Sequence, residues 1–479
     1  MNIIIGNAWP YANGPLHLGR IAVLLPGDII ARYHRLMGDD VIFLSGTDCH
    51  GTPVTTKAEQ ESITPIQAVE KYHENFKKCF KLLDFSFDMF EKTHSEYHQE
   101  KVKEFILQLD KEGYIYEEEN HLMFKLSEFE ENEKEMLENA EGWRENSKII
   151  LKRYLDEGLR DRAVTRDFNW GVDVPFKGYE DKKIYVWIEA VMGYLTASMK
   201  YCEANNEEWK EYWSGEDSRI YFVHGKDNIP FHSVILPAIT KGLGLNNENY
   251  RMISSEYMKL EGKAFSTLKN WALWVDEVLK KYDVDTLRYY LILNSPEKED
   301  TDFTWRNYIN VNNNDLVDNL NYFVTNTINF SRKNYGSRMI IDEFDEVLKN
   351  EILDLYFDVG DAIEVGELKL ALNNIFNFIK KYKKEIKESN LWELSEKKPK
   401  ECKRIVYNYI QIIANLSNLV EPFMPKTSLK IKKALNIKNN MWSLIEKKDG
   451  TLKEIDILFE KIDKKKAFEE LDNLKKNKI

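Results

Sequence analysis

Ile3-Ile4-Ile5-Gly6-Asn7-Ala8-Trp9-Pro10-Tyr11-Ala12-Asn13-Gly14-Pro15-Leu16-His17-Leu18-Gly19-Arg20 decides the fold of this chain. Its apolar start is too short for a helix and runs into a loop marked by Pro10, Asn13-Gly14 and Pro15, after which a helical pattern begins near His17. The order is strand, turn, helix. In α/β folds such a turn collects phosphate, because unpaired N–H groups and the positive end of the helix dipole meet there. The stretch has neither GxGxxG spacing nor the Gly-Lys-Ser/Thr of a P-loop, so other residues must supply its phosphate chemistry.

The chain around this stretch has 479 residues, more than one ordinary core, and its length suggests two to four units. The apolar run from Ile21 to Leu25 is cut by Pro26 and Asp28, far short of the ~20 residues of a membrane span. Cys49, Cys79, Cys202 and Cys402 are widely spaced, without CxxC pairs, and read as free thiols. A cytoplasmic protein without a leader is expected. Residues 1–305 hold 37 Lys+Arg against 53 Asp+Glu, a net of −16, and residues 306–479 hold 31 against 27, a net of +4. Any polyanion therefore meets the C-terminal part more easily.

A second strand is expected over Asp40–Leu44, ending in Ser45-Gly46-Thr47-Asp48-Cys49-His50-Gly51, with its C-terminal end at the same crevice as the first. Asp48 there suits an α-ammonium group through a charge-assisted hydrogen bond; the alternative is an N-cap for a helix starting near Thr52. Residues 63–112 carry helical periodicity up to Gly113. Ile184-Tyr185-Val186-Trp187-Ile188-Glu189-Ala190-Val191-Met192-Gly193-Tyr194 reads as a strand entering a helix, with aromatic walls that suit a thioether. His224 and His232 lack zincin spacing and a third ligand, so metal is not expected there. From Trp305 onward the pattern is helical, with breaks near Tyr335-Gly336-Ser337, Gly360, Ser389-Asn390 and Pro422 to Pro425. Trp392 reads as a core residue, with stacking on a base as the alternative, and Lys461 to Lys478 as a charged amphipathic helix.

The phrase Pro10-Tyr11-Ala12-Asn13-Gly14-Pro15-Leu16-His17-Leu18-Gly19 resembles the HIGH motif of class I aminoacyl-tRNA synthetases in its methionyl-tRNA synthetase form. The resemblance implies a Rossmann-like parallel-sheet catalytic domain of α/β class with a reduced connective insert, followed by an all-α anticodon-binding-like helix bundle. Its boundaries would be 1–112 and 161–250 for the two catalytic halves, 113–160 for the insert, 251–305 for the KMSKS-like loop region and 306–479 for the bundle. It implies that His17, Gly19, Arg20, Gly225 and Asp227 hold ATP. It likewise implies that Trp9, Tyr11, Asp48, Trp187, Val191, Tyr194, Asn228 and His232 border a methionine-like amino acid. The implied cofactors are ATP and Mg2+, and tRNA is the implied acceptor.

Several positions depart from the family pattern. Arg20 stands in place of the second histidine, and Val191 where proline is usual. The KMSKS loop aligns with Ala264-Phe265-Ser266-Thr267-Leu268, leaving Lys263 and Lys269 to grip the triphosphate. Tyr322 and Asn326 occupy the anticodon-facing positions usually held by Asn and Arg. Only a few residues separate the two strands that normally flank the connective insert, and no Cys pair lies near, so no structural zinc is expected. These departures raise an alternative expectation, a paralogue that passes its amino acid to a non-tRNA acceptor or only senses it.

Overall fold

The computed structural model describes residues 1–246 and 249–476. The opening stretch forms β1 (Asn2–Asn7) and α1 (Leu18–Met37). Next come β2 (Asp40–Thr47), α2 (Pro65–Leu82), β3 (Met89–Lys92) and α3 (Glu96–Lys111). Two short helices, α4 (Val186–Glu189) and α5 (Gly193–Asn205), precede β4 (Ser218–Gly225) and β5 (Tyr250–Ser255). The five strands make one parallel sheet in the order β5-β4-β1-β2-β3. The chain leaves β1 toward one edge and later returns to fill the other. The loops after β1 and β4 therefore diverge and open a crevice at their C-terminal ends.

Both faces of the sheet are covered, which explains the unbroken apolar runs of its strands. Ile3, Ile5, Val41, Phe43, Tyr221 and Val223 join one core, while Ile4, Ile42, Leu44, Ile220 and Phe222 join the other. That is the period of two of a pleated strand. In α1, Pro26 has no N–H for the turn before it, yet the helix continues, and the Asn7 side-chain amide donates to the Leu24 carbonyl at 2.9 Å. Gly38, at φ +85°, ends the helix.

The helical expectation for residues 63–112 is corrected by the edge strand β3, which lies between two helices. Asp84 takes φ +60° after α2, and Phe85, Phe87 and Phe90 then pack against Phe43 and Phe80. A half-buried edge strand of four residues is too short to show an alternation. The flanks of the expected insert form a hairpin, Ile115–Glu118 with His121–Phe124. Its turn is Glu119-Asn120, with φ +47° and +63°, the left-handed pair that matches strand twist in a two-residue loop.

Beyond the five-stranded sheet, α6 (Val284–Leu293) leads to a bundle that includes α7 (Tyr322–Tyr335), α8 (Glu346–Glu364), α9 (Leu368–Glu388) and α10 (Pro399–Leu419). The bundle shares one continuous core with α1 and its face of the sheet. Arg288 is the polar clasp in that core. Its guanidinium meets Asp28 Oδ2 at 2.6 Å and donates to the carbonyls of Phe423, Leu83 and Pro422 at 2.9, 3.1 and 3.0 Å.

The break expected near Gly360 does not occur, because α8 runs through it to Glu364. A Cβ at Gly360 would lie 2.9 Å from the Tyr33 hydroxyl, so the glycine serves close packing rather than a turn. Trp392 is also corrected. It is 51% exposed, set edge-on to Phe330 with Lys333 over its face at 4.7 Å. The tail forms a helix over Lys466–Lys476, and its expected end at Lys478 lies outside the described residues.

Candidate active site

A cavity of about 540 Å³ opens across the crevice between β1 and β4. Trp9, Tyr11, His17, Gly19, Arg20, Gly225, Asp227 and Asn228 line it. Segments more than 200 residues apart in sequence thus converge at neighbouring strand ends. His17 is the last residue before α1 and is clamped by the segment 273–275. Leu18 N–H donates to the Leu273 carbonyl at 3.0 Å, and Val275 N–H to the Leu16 carbonyl at 3.1 Å.

Burial, helped by the Arg20 charge, pushes the His17 imidazole down to about 3, so it is neutral at neutral pH. Its Nδ1 and Arg20 Nη1 are buried without a partner among the described residues, while Arg20 Nη2 donates to Asn13 Oδ1 at 3.2 Å. Burial also lowers the Arg20 pKa, but a guanidinium keeps its charge. Two unsatisfied nitrogens at a helix N-terminus make a built place for an anion.

On the opposite lip, Tyr257 donates its hydroxyl to Asp227 Oδ1 at 2.5 Å. Lys226 bonds Glu256 Oε2 at 2.5 Å and Asp300 Oδ1 at 3.4 Å, and lies 4.0 Å from the Tyr257 ring centroid. Glu256, Tyr257, Lys259, Asp300 and Phe265 also line the cavity and were missed in the sequence. Phe265 sits inside the KMSKS-aligned loop and was legible there. The others have no local signal.

Asp48, Val191, Tyr194 and His232 stand behind the wall made by Trp9 and Tyr11. Trp9 packs against Gly46, where a Cβ would fall 2.4 Å from the indole and 2.5 Å from the Glu91 carbonyl. Tyr194 lies edge-on to Trp9, with centroids 6.1 Å apart, and its hydroxyl meets His232 Nε2 at 2.8 Å. His232 Nδ1 meets the Asn228 carbonyl at 2.8 Å, so Nδ1 donates and Nε2 accepts. Burial holds this imidazole at about 4, in keeping with a neutral ring. Val191 is buried in the same core.

Asp48 is fixed by its backbone: its N–H donates to the Pro10 carbonyl at 3.0 Å and its carbonyl accepts from Ala12 at 2.9 Å. Burial, then the nearby Glu189 charge, raises its carboxyl well above the usual range. The Tyr11 phenol faces it and is pushed up, chiefly by the Asp48 charge. The N-cap alternative is excluded, because Gly51 occupies the cap of the helix Thr52–Gln60 without a side-chain bond.

Other expected residues are not brought to the cavity. Trp187 donates its indole N–H to the Ala163 carbonyl at 2.9 Å and is not a wall residue. Lys263 is exposed, 4.9 Å from the Trp271 ring centroid, and Lys269 is exposed as well, whereas Ala264 and Phe265 face the cavity. In the bundle, Tyr322 lies under Lys387 at 5.0 Å, and Asn326 is exposed one turn further along α7. Among the described residues, no group of three or more His, Cys, Asp or Glu is arranged to hold a metal ion.

A parallel sheet with its first strand central, and a cavity across the switch point beside a helix N-terminus, defines a Rossmann-like α/β protein of the nucleotide-binding class. The chain matches the family model described as tRNA synthetases class I (M) over residues 3–120 and 116–328, and it belongs to that family. It is 40% identical over 539 aligned residues to methionine–tRNA ligase 1 of Alkaliphilus oremlandii, covering 99% of this chain and 100% of that one. It is also 40% identical to a methionine–tRNA ligase of Bacillus anthracis, with 99% of each chain covered. The solved Mycobacterium tuberculosis methionyl-tRNA synthetase bound by methionyl-adenylate shares the fold, with a TM-score of 0.86 and 22% identity. The match covers 96% of this chain and 100% of that one. An alignment of 539 positions against 479 residues leaves at least 60 positions of the Alkaliphilus relative without a counterpart here. The two family matches overlap over 116–120, the end of the first hairpin strand and its turn.

Proposed function

We propose that this protein is a methionine–tRNA ligase: it condenses methionine with ATP to the aminoacyl-adenylate and transfers the acyl group to the 3′ end of tRNA. The observation that carries the reading is the convergence of His17, Gly19 and Arg20 from α1 with Gly225 and Asp227 after β4 on one cavity. Full-length similarity to methionine–tRNA ligases supports the same conclusion and gives no support to a non-tRNA acceptor or a sensor.

In this reading the α1 N-terminus, the neutral His17 and the charged Arg20 hold the ATP phosphates, and Asp227 meets the ribose hydroxyls. Asp48 takes the methionine ammonium, while Trp9, Tyr11, Val191, Tyr194, Asn228 and His232 shape the side-chain end. Mg2+ enters with the triphosphate, as expected for an ion that keeps substrate phosphates and few protein ligands. Lys263 and Lys269 follow the loop toward the leaving pyrophosphate. Catalysis is then positioning and charge stabilisation for in-line attack of the carboxylate on the α-phosphate. Residues 1–112 and 161–250 are the catalytic halves, 113–160 a reduced insert, 251–305 the loop region and 306–479 the anticodon-side bundle. The location is cytoplasmic; no described helix is long and apolar enough to cross a membrane.

The test is methionine-dependent ATP–pyrophosphate exchange followed by charging of total tRNA. Both activities are expected. Exchange without charging overturns the acceptor, and no exchange overturns the whole reading.

A further inference from the structure

Behind Asp48 runs a buried hydrogen-bonded chain that the adenylation reading leaves without a task. Glu189, which closes α4, is fully buried, and its Oε1 meets both His50 Nδ1 and His98 Nε2 at 3.0 Å. His50 Nε2 continues to His94 Nδ1 at 3.0 Å, and His98 Nδ1 to Thr196 Oγ1 at 2.8 Å. His94 stacks on Trp170, with centroids 4.5 Å apart, and the Trp170 indole donates to the Cys49 carbonyl at 2.7 Å. The turn after β2 is thus gripped from two sides. His50 is its pivot: its backbone N–H donates to Asp48 Oδ1 at 3.3 Å while its ring is held by Glu189.

A buried carboxylate with two imidazoles is a poor way to fill space, since an apolar side chain of the same volume packs without desolvating a charge. What such a network provides is one geometry instead of several. The site is also built for a cation. Asp48 and Glu189 are neighbours, and neither has a lysine or arginine within ion-pair reach among the described residues. The groups that face the pair are Tyr11 after β1, Cys49 and His50 after β2, His94 and His98 around the start of α3, Tyr185 before α4, and Tyr194 in α5. Oε2 of Glu189 is buried without a partner among the described residues.

We propose that Glu189 is a positioning residue of the amino-acid site: through His50 it fixes the turn that presents the Asp48 carboxylate to the substrate ammonium. The inference rests on the reading of Asp48 as the ammonium partner. Burial alone pushes Glu189 toward its neutral form, and the two imidazoles hold it ionised.

The test uses the full chain and methionine-dependent ATP–pyrophosphate exchange. Glu189→Gln is expected to raise the KM for methionine about tenfold or more while leaving kcat and the KM for ATP within about twofold. Glu189→Asp is expected to restore the methionine KM to within about threefold of the parent. On acidification, the pH at which the methionine KM begins to rise moves lower in Glu189→Gln, because Asp48 loses a negative neighbour. An unchanged methionine KM, or an equal rise for methionine and ATP, overturns the proposal. If Glu189→Gln does not fold, His98→Asn is measured instead; a rise confined to methionine supports the proposal and no rise overturns it. Asp48→Asn is run in parallel. If it leaves the methionine KM untouched, the Asp48 reading falls; if it raises that KM and Glu189→Gln does not, only the positioning role falls.

Discussion

Phe265 stacks on His17, with ring centroids 4.8 Å apart and planes 10° from parallel. The loop aligned with KMSKS therefore lies against His17, and it helps keep that imidazole away from water. His17 at about 3 and His232 at about 4 both sit below the ordinary histidine value, in each case first through burial. The unfolded chain then binds more protons below pH 6.5, so stability falls as pH drops from there toward the folded values. At pH 5 each ring costs about 2 kcal/mol relative to pH 8. Thermal unfolding should show a lower midpoint at pH 5 than at pH 7.5, and Phe265→Ala should flatten part of this dependence by letting His17 hydrate. An identical slope in that variant would detach the loop from the histidine.

The second prediction concerns the clasp in the shared core. Arg288→Met leaves Asp28 buried with only Arg32 and Ser86 as polar partners, and removal of one member of a buried pair typically costs about 3–5 kcal/mol. Urea unfolding should show that loss, and Asp28→Asn in the same background should recover much of it. Equal stability of the parent and Arg288→Met would mean that the clasp is energetically idle.

Restoring a lysine tests the rewritten loop. Thr267→Lys places a cation in the exposed part of the loop next to Phe265 and should raise the kcat of pyrophosphate exchange, with a ceiling of about 10²-fold for one well-placed donor. Lys263→Ala should lower exchange, because the side chain that rests over Trp271 outside the cavity reaches the pyrophosphate once the loop carries it inward. An unchanged rate in Lys263→Ala would show that the loop does not bring this lysine to the pyrophosphate.

Tyr322 and Trp392 make the fourth case. Trp392 is half exposed and Tyr322 partly buried, and each carries a lysine over its ring, Lys333 and Lys387. Stacking of one base is worth about 1–3 kcal/mol, so Tyr322→Ala and Trp392→Ala should each raise the KM for tRNA about tenfold with exchange unaltered. Unchanged charging kinetics in both would remove these aromatics from nucleic-acid contact.

The sequence made the sheet legible where strands are buried on both faces, as in Ile3–Ile5 and Asp40–Leu44, because continuous apolar runs punctuated by turn residues have few other solutions. It hid β3, whose edge position leaves it half polar. It misplaced a helix end at Gly360, because a glycine needed for contact with Tyr33 looks the same in one dimension as a glycine needed for a turn. His17, Arg20 and Asp227 are singled out through the resemblance of their motifs, and the fold brings all three to one cavity. The Glu189–His50–His98 network could not be singled out, since its members come from three segments and meet only when α4 docks beside the β2 turn.

The Glu119-Asn120 hairpin bears on how the molecule is assembled. Here the chain reverses in two residues, and the small sheet of Ile115–Glu118, His121–Phe124 and Arg162–Ala163 closes around that turn. The strands on either side of that turn pair without help from a longer connection, so this corner is closed by its own backbone. By the same logic the turn is a natural port, where a guest module or a chain break can be introduced without disturbing the machinery.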